Sequence, residues 1–208
     1  MPRQRGRFIT FEGTEGAGKS TLMTKVRERL EARGLTPVVT REPGGSPLAE
    51  RLRELILGQA MAPTAELFLY EASRAEHLDK TVLPALDEGR WVLCDRFTDS
   101  SLAYQGGARG LPWKDVKAAN RLATGGLDPD LTVFLDVDPE VGLKRTTDPN
   151  RFEREGLEFH QKVRKGFARA GREAGRRWLK LKVAGATPEG LADKVLSELE
   201  KRRWLARA

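Results

Sequence analysis

The 208-residue chain predicts an α/β fold, about five parallel strands in one sheet flanked by helices on both faces. Three observations predict it. Short apolar runs alternate with stretches of helical periodicity from one end to the other. Turn residues punctuate the alternation: Gly34 closes one helical stretch, and Asp138 followed by Pro139 opens another. The first apolar run, Phe8 to Glu12, passes through a glycine-rich turn directly into a helical stretch.

Taken in order, strands are expected over 8–12, 36–40, 91–95, 131–136 and about 179–184. Each is a short apolar run, such as Trp-Val-Leu-Cys-Asp at 91–95 and Leu-Thr-Val-Phe-Leu-Asp at 131–136. Helices are expected over 19–33, 47–57, 64–88, 113–124, 139–146, 153–176 and 188–203. In 64–88, Leu67, Tyr70, Arg74 and His77 recur at spacings of three and four and so share one face. Beneath the basic stretch Lys162 to Lys182, Val163, Phe167, Ala170, Ala174 and Trp178 run at helical spacing and predict one buried face. No repeat, low-complexity tract or linker divides the chain, which is expected to be one domain over 1–208.

Composition narrows the chemistry. Hydrophobic residues make up 39% and charged residues 32%, the balance of a soluble globular chain. Cys94 is the only cysteine, so no intramolecular disulfide can form, and with only His77 and His160 no zinc-type cluster is visible. A metal, if used, is expected to be a hard ion held by oxygens, Mg²⁺. Cys94 and His160 read as packing residues; His77 stays undecided. The basic N-terminus has no apolar signal core after it and no stretch reaches membrane-spanning length, so the cytoplasm is the expected compartment. A net charge of +7 suits an anionic ligand, nucleotide or nucleic acid.

Chemistry is expected beyond the carboxyl ends of the strands. After 8–12 comes Gly13-x-x-x-x-Gly18-Lys19-Ser20, the phosphate-binding loop pattern. Gly13, Gly16 and Gly18 let the backbone turn its N–H groups inward. Lys19 supplies charge for β- and γ-phosphates, the Ser20 hydroxyl can ligate Mg²⁺, and Thr21 begins a helix whose N-terminus favours an anion. A nucleoside triphosphate is the expected ligand. After 36–40, Arg41-Glu-Pro-Gly-Gly-Ser46 could hold an acceptor phosphate. After 91–95, Asp95 stands where a carboxylate reaches Mg²⁺, Arg96 would bind an anion, and Ser100, Ser101, Tyr104 and Gln105 follow in a helical rhythm. Asp136 is a second strand-end carboxylate and ranks below Asp95, which has the adjacent arginine. Lys144 to Glu155, with Lys144, Arg145, Arg151 and Arg154 around Asp148-Pro-Asn150, has the composition of a short cationic lid, about 144–156. Tyr70 and Arg74 could stack and read a base, although spacing alone prefers a core tyrosine and a solvated arginine. For the basic stretch 162–182 a solvated face is preferred over a nucleic-acid footprint.

Together these motifs resemble the thymidylate kinase family across nearly the whole chain. They are the loop Gly13-Thr-Glu-Gly-Ala17-Gly-Lys-Ser-Thr21, Arg41-Glu-Pro-Gly-Gly, Leu69-Tyr-Glu-Ala-Ser-Arg74-Ala-Glu-His, Asp95-Arg-Phe-x-x-Ser-Ser-x-Ala-Tyr-Gln-Gly-Gly and Asp136-Val-Asp-Pro-Glu-Val-Gly-Leu-Lys-Arg145. The resemblance implies a P-loop kinase fold, dTMP and ATP as substrates, Mg²⁺ and a homodimer. Tyr70 stands where that family usually has a phenylalanine stacked on thymine, and Arg74, Gln105, Ser100, Ser101 and Tyr104 would surround the base. Arg41 and Arg96 would hold the acceptor and transferred phosphates, Glu15 would position the 3′-hydroxyl side of the acceptor, and Arg145 would lie against adenine. The Ala184-Gly-Ala-Thr187 turn would meet the adenine edge. Family members that carry a catalytic arginine in the phosphate loop differ at Gly16, so the arginine is expected from the lid, Arg151 before Arg154.

An acceptor monophosphate is already anionic near neutrality, its second pKa being about 6, so charge shielding is needed and a general base is not. Two rivals stand beside this expectation. A deoxynucleoside kinase would need a base, for which Glu42 is the candidate. A nucleic-acid-binding NTPase would use the basic stretch, but no aromatic-interleaved platform accompanies it.

Overall fold

The computed structural model describes residues 5–145 and 151–205. Five parallel strands form one sheet: β1 (Phe8–Glu12), β2 (Val38–Arg41), β3 (Val92–Asp95), β4 (Leu131–Asp136) and β5 (Trp178–Lys182), in the order β2-β3-β1-β4-β5. This is the P-loop kinase fold. β1 sits centrally, Thr10 pairing with Cys94 on one side and Thr132 on the other, and all five of its residues are buried. A strand covered on both faces reads as a continuous apolar run, which is why it was legible. β2 starts at Val38 rather than 36, since Pro37 has no N–H for the ladder.

Alternation along β1 separates two cores. Ile9 and Phe11 pack with Leu22, Val26 and Leu30 of α1 (Lys19–Glu31) and Val195 and Leu199 of α9 (Pro188–Lys201). Phe8 points the other way, to Leu78, Val82, Leu86 and Phe97. On that side the expected helix 64–88 is α3 (Pro63–His77), a wide turn over Leu78–Val82, and α4 (Leu83–Asp87). Pro84 has no N–H to offer the preceding turn, which accounts for the widening. Cys94 is a buried core thiol, its pKa pushed up by burial.

α2 (Pro47–Gly58) is capped by the Ser46 hydroxyl, which accepts from Ala49 N. The helical rhythm read after β3 is α5 (Thr98–Ser101) running into a wide helical segment, Leu102–Ala108, whose bounds the sequence had not marked. α6 (Trp113–Thr124) and α7 (Pro139–Leu143) precede α8 (Leu157–Ala174), which starts after Gly156 rather than at 153; Trp178 belongs to β5. The last residue of the helix expected over 139–146 lies outside the described residues, as do Asp148 to Asn150 of the expected lid.

Part of the basic stretch is spent on internal partners. Arg164 and Lys180 bind Asp136, and Arg177 holds the buried Asp99 with both terminal nitrogens. Arg169 lies over Trp113. The solvated-face expectation therefore holds for Lys162, Lys165, Arg169, Arg172, Arg176, Lys180 and Lys182, which are exposed, and fails for Arg164 and Arg177. No helix among the described residues is long and apolar enough to cross a membrane.

Candidate active site

The site grows from the end of β1. The loop Gly13–Gly18 turns through three positive-φ glycines into α1. At Gly16, φ is 64°, and a Cβ there would meet Gly142 O at 1.9 Å; one on Gly142 would meet Glu15 O at 2.3 Å. Loop and α7 thus touch backbone to backbone. Ala17 is buried, and Lys19 is buried with its ammonium donating to Gly13 O and Thr14 O at 3.4 and 3.3 Å. Burial, then the charge of Arg96, lowers the Lys19 pKa. Ser20 Oγ donates to Asp95 Oδ2 at 3.3 Å, and Asp95 Oδ1 is buried with no partner among the described residues. That orphaned oxygen beside a hydroxyl, at a loop built for phosphate, fits a hard cation. Thr21 is exposed in the first turn of α1.

β1 also supplies Glu12, fully buried, whose Oε1 accepts from Phe97 N at 2.8 Å and Oε2 from Ser100 Oγ at 2.6 Å. These bonds hold the turn in which Arg96, a non-glycine residue, sits at φ 71°. Burial and the neighbouring Asp99 charge push the Glu12 pKa up to about 8. The strained turn aims Arg96 at the loop: Nη1 donates to Gly13 O at 3.0 Å and Nη2 to Glu15 Oε1 at 3.1 Å. Glu15 also accepts from Tyr104 Oη at 2.5 Å and from His160 Nδ1 at 3.1 Å. Burial alone would raise its pKa; His160, Arg96, Lys19 and Tyr104 reverse that and hold it at about 2.

Next to this cluster lies a cavity of about 150 Å³, whose walls include Glu15, Tyr70, Arg74, Arg96, Ser100, Ser101, Tyr104 and Gln105. α3 and the segment after β3 thus bring seven of the expected site residues to one place, beside Glu15 of the phosphate loop. Arg74 is not the solvated arginine that spacing preferred. It is 1% exposed, with Nε on Glu42 at 2.8 Å and Nη1 on Glu71 at 2.8 Å and Asn120 at 2.7 Å. His77 is settled too: Nδ1 binds Glu42 Oε1 at 3.0 Å and Nε2 binds Thr40 Oγ1 at 2.7 Å.

Other expected residues are not brought to the cavity. Arg41 is 53% exposed and paired with Glu50 at 2.9 Å. Arg151 is paired with buried Glu66 at 2.7 Å and bonds the Ile56 carbonyl; Arg154 is exposed. Arg145 is exposed, its Nη1 3.4 Å from Gly16 O at the loop's outer edge. Asp136 is committed to Arg164 and Lys180, whereas Asp95 keeps a free oxygen, which bears on their rivalry for a metal.

Sequence reasoning missed several wall residues. Arg53 lines the cavity and its pKa is lowered by burial and then by the charge of Arg41, so two cations converge where β2 ends. Nothing local separates it from exposed Arg51 on the same helix. Phe152 is buried against Tyr70 and Tyr104; its signal was an aromatic inside an otherwise polar lid. His160 was read as packing, and instead bonds Glu15.

A family model described as Thymidylate kinase matches residues 11–191. The chain belongs to the thymidylate kinase family. The thymidylate kinase of Alkalilimnicola ehrlichii is 54% identical over 171 residues, 79% of either chain. That of a Synechococcus strain is 48% identical over 196 residues, 94% of this chain and 96% of its own. That of Halalkalibacterium halodurans is 50% identical over 173 residues, 79% and 82% of the two chains. Within the thymidylate kinase family, then, this member carries its phosphate loop backbone-packed at position 16 and a tyrosine at position 70.

Proposed function

We infer that the chain transfers the γ-phosphoryl group of ATP to dTMP, giving dTDP and ADP, as a single kinase domain with a lid over about 144–156. An acceptor phosphate oxygen attacks the γ-phosphorus as the bond to the bridging oxygen of ADP breaks, in line. The observation that carries the reading is Arg96, which bonds the phosphate loop at Gly13 O and the cavity carboxylate Glu15 with one guanidinium. A cation there lies between donor and acceptor anions, where charge must be shielded.

In this reading Lys19, Gly13, Gly16, Ala17, Gly18, Ser20 and Thr21 bind the triphosphate, and Arg145 lies on adenine. Ser20 and Asp95 hold Mg²⁺, which when bound neutralises charge on the β- and γ-oxygens. Tyr70, Arg74, Ser100, Ser101, Tyr104 and Gln105 receive the base, and Arg41 with Arg53 receives the acceptor phosphate. Arg151 leaves Glu66 to reach the transferred group when the lid closes. We further assign a homodimer in the cytoplasm; exposed Phe68 at 62% and Leu122 at 87%, on neighbouring α3 and α6, are apolar surface available to it.

The deoxynucleoside kinase alternative loses its base, because Glu42 is buried with one oxygen on Arg74 and the other on His77. The nucleic-acid alternative loses charge to the ion pairs of Arg164, Arg177 and Lys180. The test is ADP release from Mg-ATP with dTMP, dUMP, other monophosphates, thymidine and single-stranded DNA in separate assays. Turnover with dTMP well above the rest is expected; turnover with thymidine, or only with DNA, overturns the reading.

A further inference from the structure

Gln105 lines the cavity with a side-chain amide that can present either its NH₂ or its oxygen to an occupant. Glu66 decides between them. Its carboxylate is 0% exposed and paired with Arg109 at 3.3 Å and Arg151 at 2.7 Å. Paired with Arg109 throughout, and with Arg151 until the lid closes, this carboxylate accepts hydrogen bonds and donates none. Gln105 Nε2 donates to its Oε1 at 2.8 Å, so the amide oxygen is the atom left over, with no partner among the described residues. Arg74 contributes the opposite polarity. Its Nε and Nη1 are taken by Glu42, Glu71, Ser101 and Asn120, and Nη2, with no partner among the described residues, is a donor on the same cavity wall.

We propose that Glu66 is a specificity-determining residue of this enzyme, a positioning residue that fixes the Gln105 amide with its oxygen toward the base. The wall then matches an imide edge, N–H beside carbonyl, and opposes an edge with a bare ring nitrogen beside an amino group. The proposal rests on the cavity being the dTMP site. Thymine carries the matching N3–H and O4. Cytosine would set lone pair against lone pair at Gln105 and N–H against N–H at Arg74, leaving buried polar groups unpaired. Without a strict acceptor at position 66 the amide can turn over, and the mismatch at Gln105 disappears.

The experiment compares kcat/KM for dTMP and dCMP in the wild type and in Glu66→Gln, whose amide can donate as well as accept. The dTMP/dCMP ratio is expected to fall about tenfold or more, with the KM for ATP unchanged. In a Gln105→Leu background the same substitution should leave the ratio where Gln105→Leu alone puts it. An unchanged ratio in Glu66→Gln, or an equal loss on both substrates, overturns the proposal. Failure of the wild type to use dTMP overturns the dTMP reading itself, and that control separates the two. Should Glu66→Gln not fold, the wild type answers by NMR: the Gln105 side-chain NH₂, assigned by its disappearance in Gln105→Leu, should exchange slowly with water with and without dTMP. Fast exchange, the mark of an NH₂ free of Glu66, overturns the proposal.

Discussion

His160 Nδ1 donates to Glu15 Oε2 at 3.1 Å across 145 residues of sequence, so the first turn of α8 grips a carboxylate that belongs to the phosphate loop. The other oxygen of Glu15 is shared by Tyr104 and Arg96. One carboxylate therefore joins loop, cavity and the helix that follows the lid, and its orientation depends on all three.

Replacing His160 with alanine frees one end of that carboxylate. The expected outcome is a rise of about tenfold in the KM for dTMP, with kcat changed less than the KM and the KM for ATP unaltered, in keeping with about 1–2 kcal/mol for a lost charge-assisted bond. Steady-state kinetics with each substrate varied in turn measure it. His160→Gln, which can still donate, should recover part of the loss.

The two buried glutamates of this region give opposite pH dependences. Glu12, with a pKa raised to about 8, is held protonated by the fold. Its contribution to stability is complete below the ordinary carboxylate value near 4.5 and is lost as pH rises toward 8. Glu15, held at about 2, contributes fully above 4.5 and loses that contribution as pH falls toward 2. Glu12→Gln mimics the protonated side chain. Urea denaturation between pH 5 and 8 should show the wild type losing stability relative to Glu12→Gln as pH rises; parallel curves would show that Glu12 does not titrate there.

Gly16→Ala tests the contact between loop and α7. A β-carbon at φ 64° and 1.9 Å from Gly142 O forces the backbone apart. The expected cost is about 2 kcal/mol or more, read as a lowered denaturation midpoint, together with weaker ATP binding. Gly18→Ala provides the comparison, since nothing lies within 4 Å of a Cβ there and only the φ of 88° penalises it.

Asp95→Asn replaces the carboxylate with the orphaned oxygen. The Mg²⁺ concentration for half-maximal activity should rise about tenfold or more, and kcat at saturating Mg²⁺ should fall, both measured by titrating the metal at fixed ATP. Chelation should abolish turnover by the wild type. Asp136→Asn should leave the Mg²⁺ requirement as it was, because its carboxylate serves Arg164 and Lys180.

What was legible in the sequence was whatever local physics dictates. The buried strands announced themselves as apolar runs, and the phosphate loop as glycines at fixed offsets before a lysine. The helix after β3 showed only as a rhythm, its bounds and burial hidden because Thr98, Asp99, Ser100 and Ser101 are polar yet buried. Their satisfaction comes from afar: Asn120 bonds Thr98 O, Arg177 bonds Asp99, Glu12 bonds Ser100 and Arg74 bonds Ser101. No window of sequence contains those partners. The same holds for Arg74, which helical spacing alone made a solvated residue and which three distant groups, Glu42, Ser101 and Asn120, hold as a buried one. Glu66 gave no sign at all, since its three partners, Gln105, Arg109 and Arg151, lie 39, 43 and 85 residues away.

The backbone contact between Gly16 and Gly142 also bears on how such a chain can change over generations. A cation introduced at position 16 cannot arrive by one substitution, because α7 already fills the space its side chain would need. The helix would have to be displaced first, and with it Arg145, which follows the end of α7 and touches the loop at Gly16 O. A side chain at position 16 therefore comes only with a remodelling of the neighbouring helix, and the loop would lose its backbone packing before gaining a new cation.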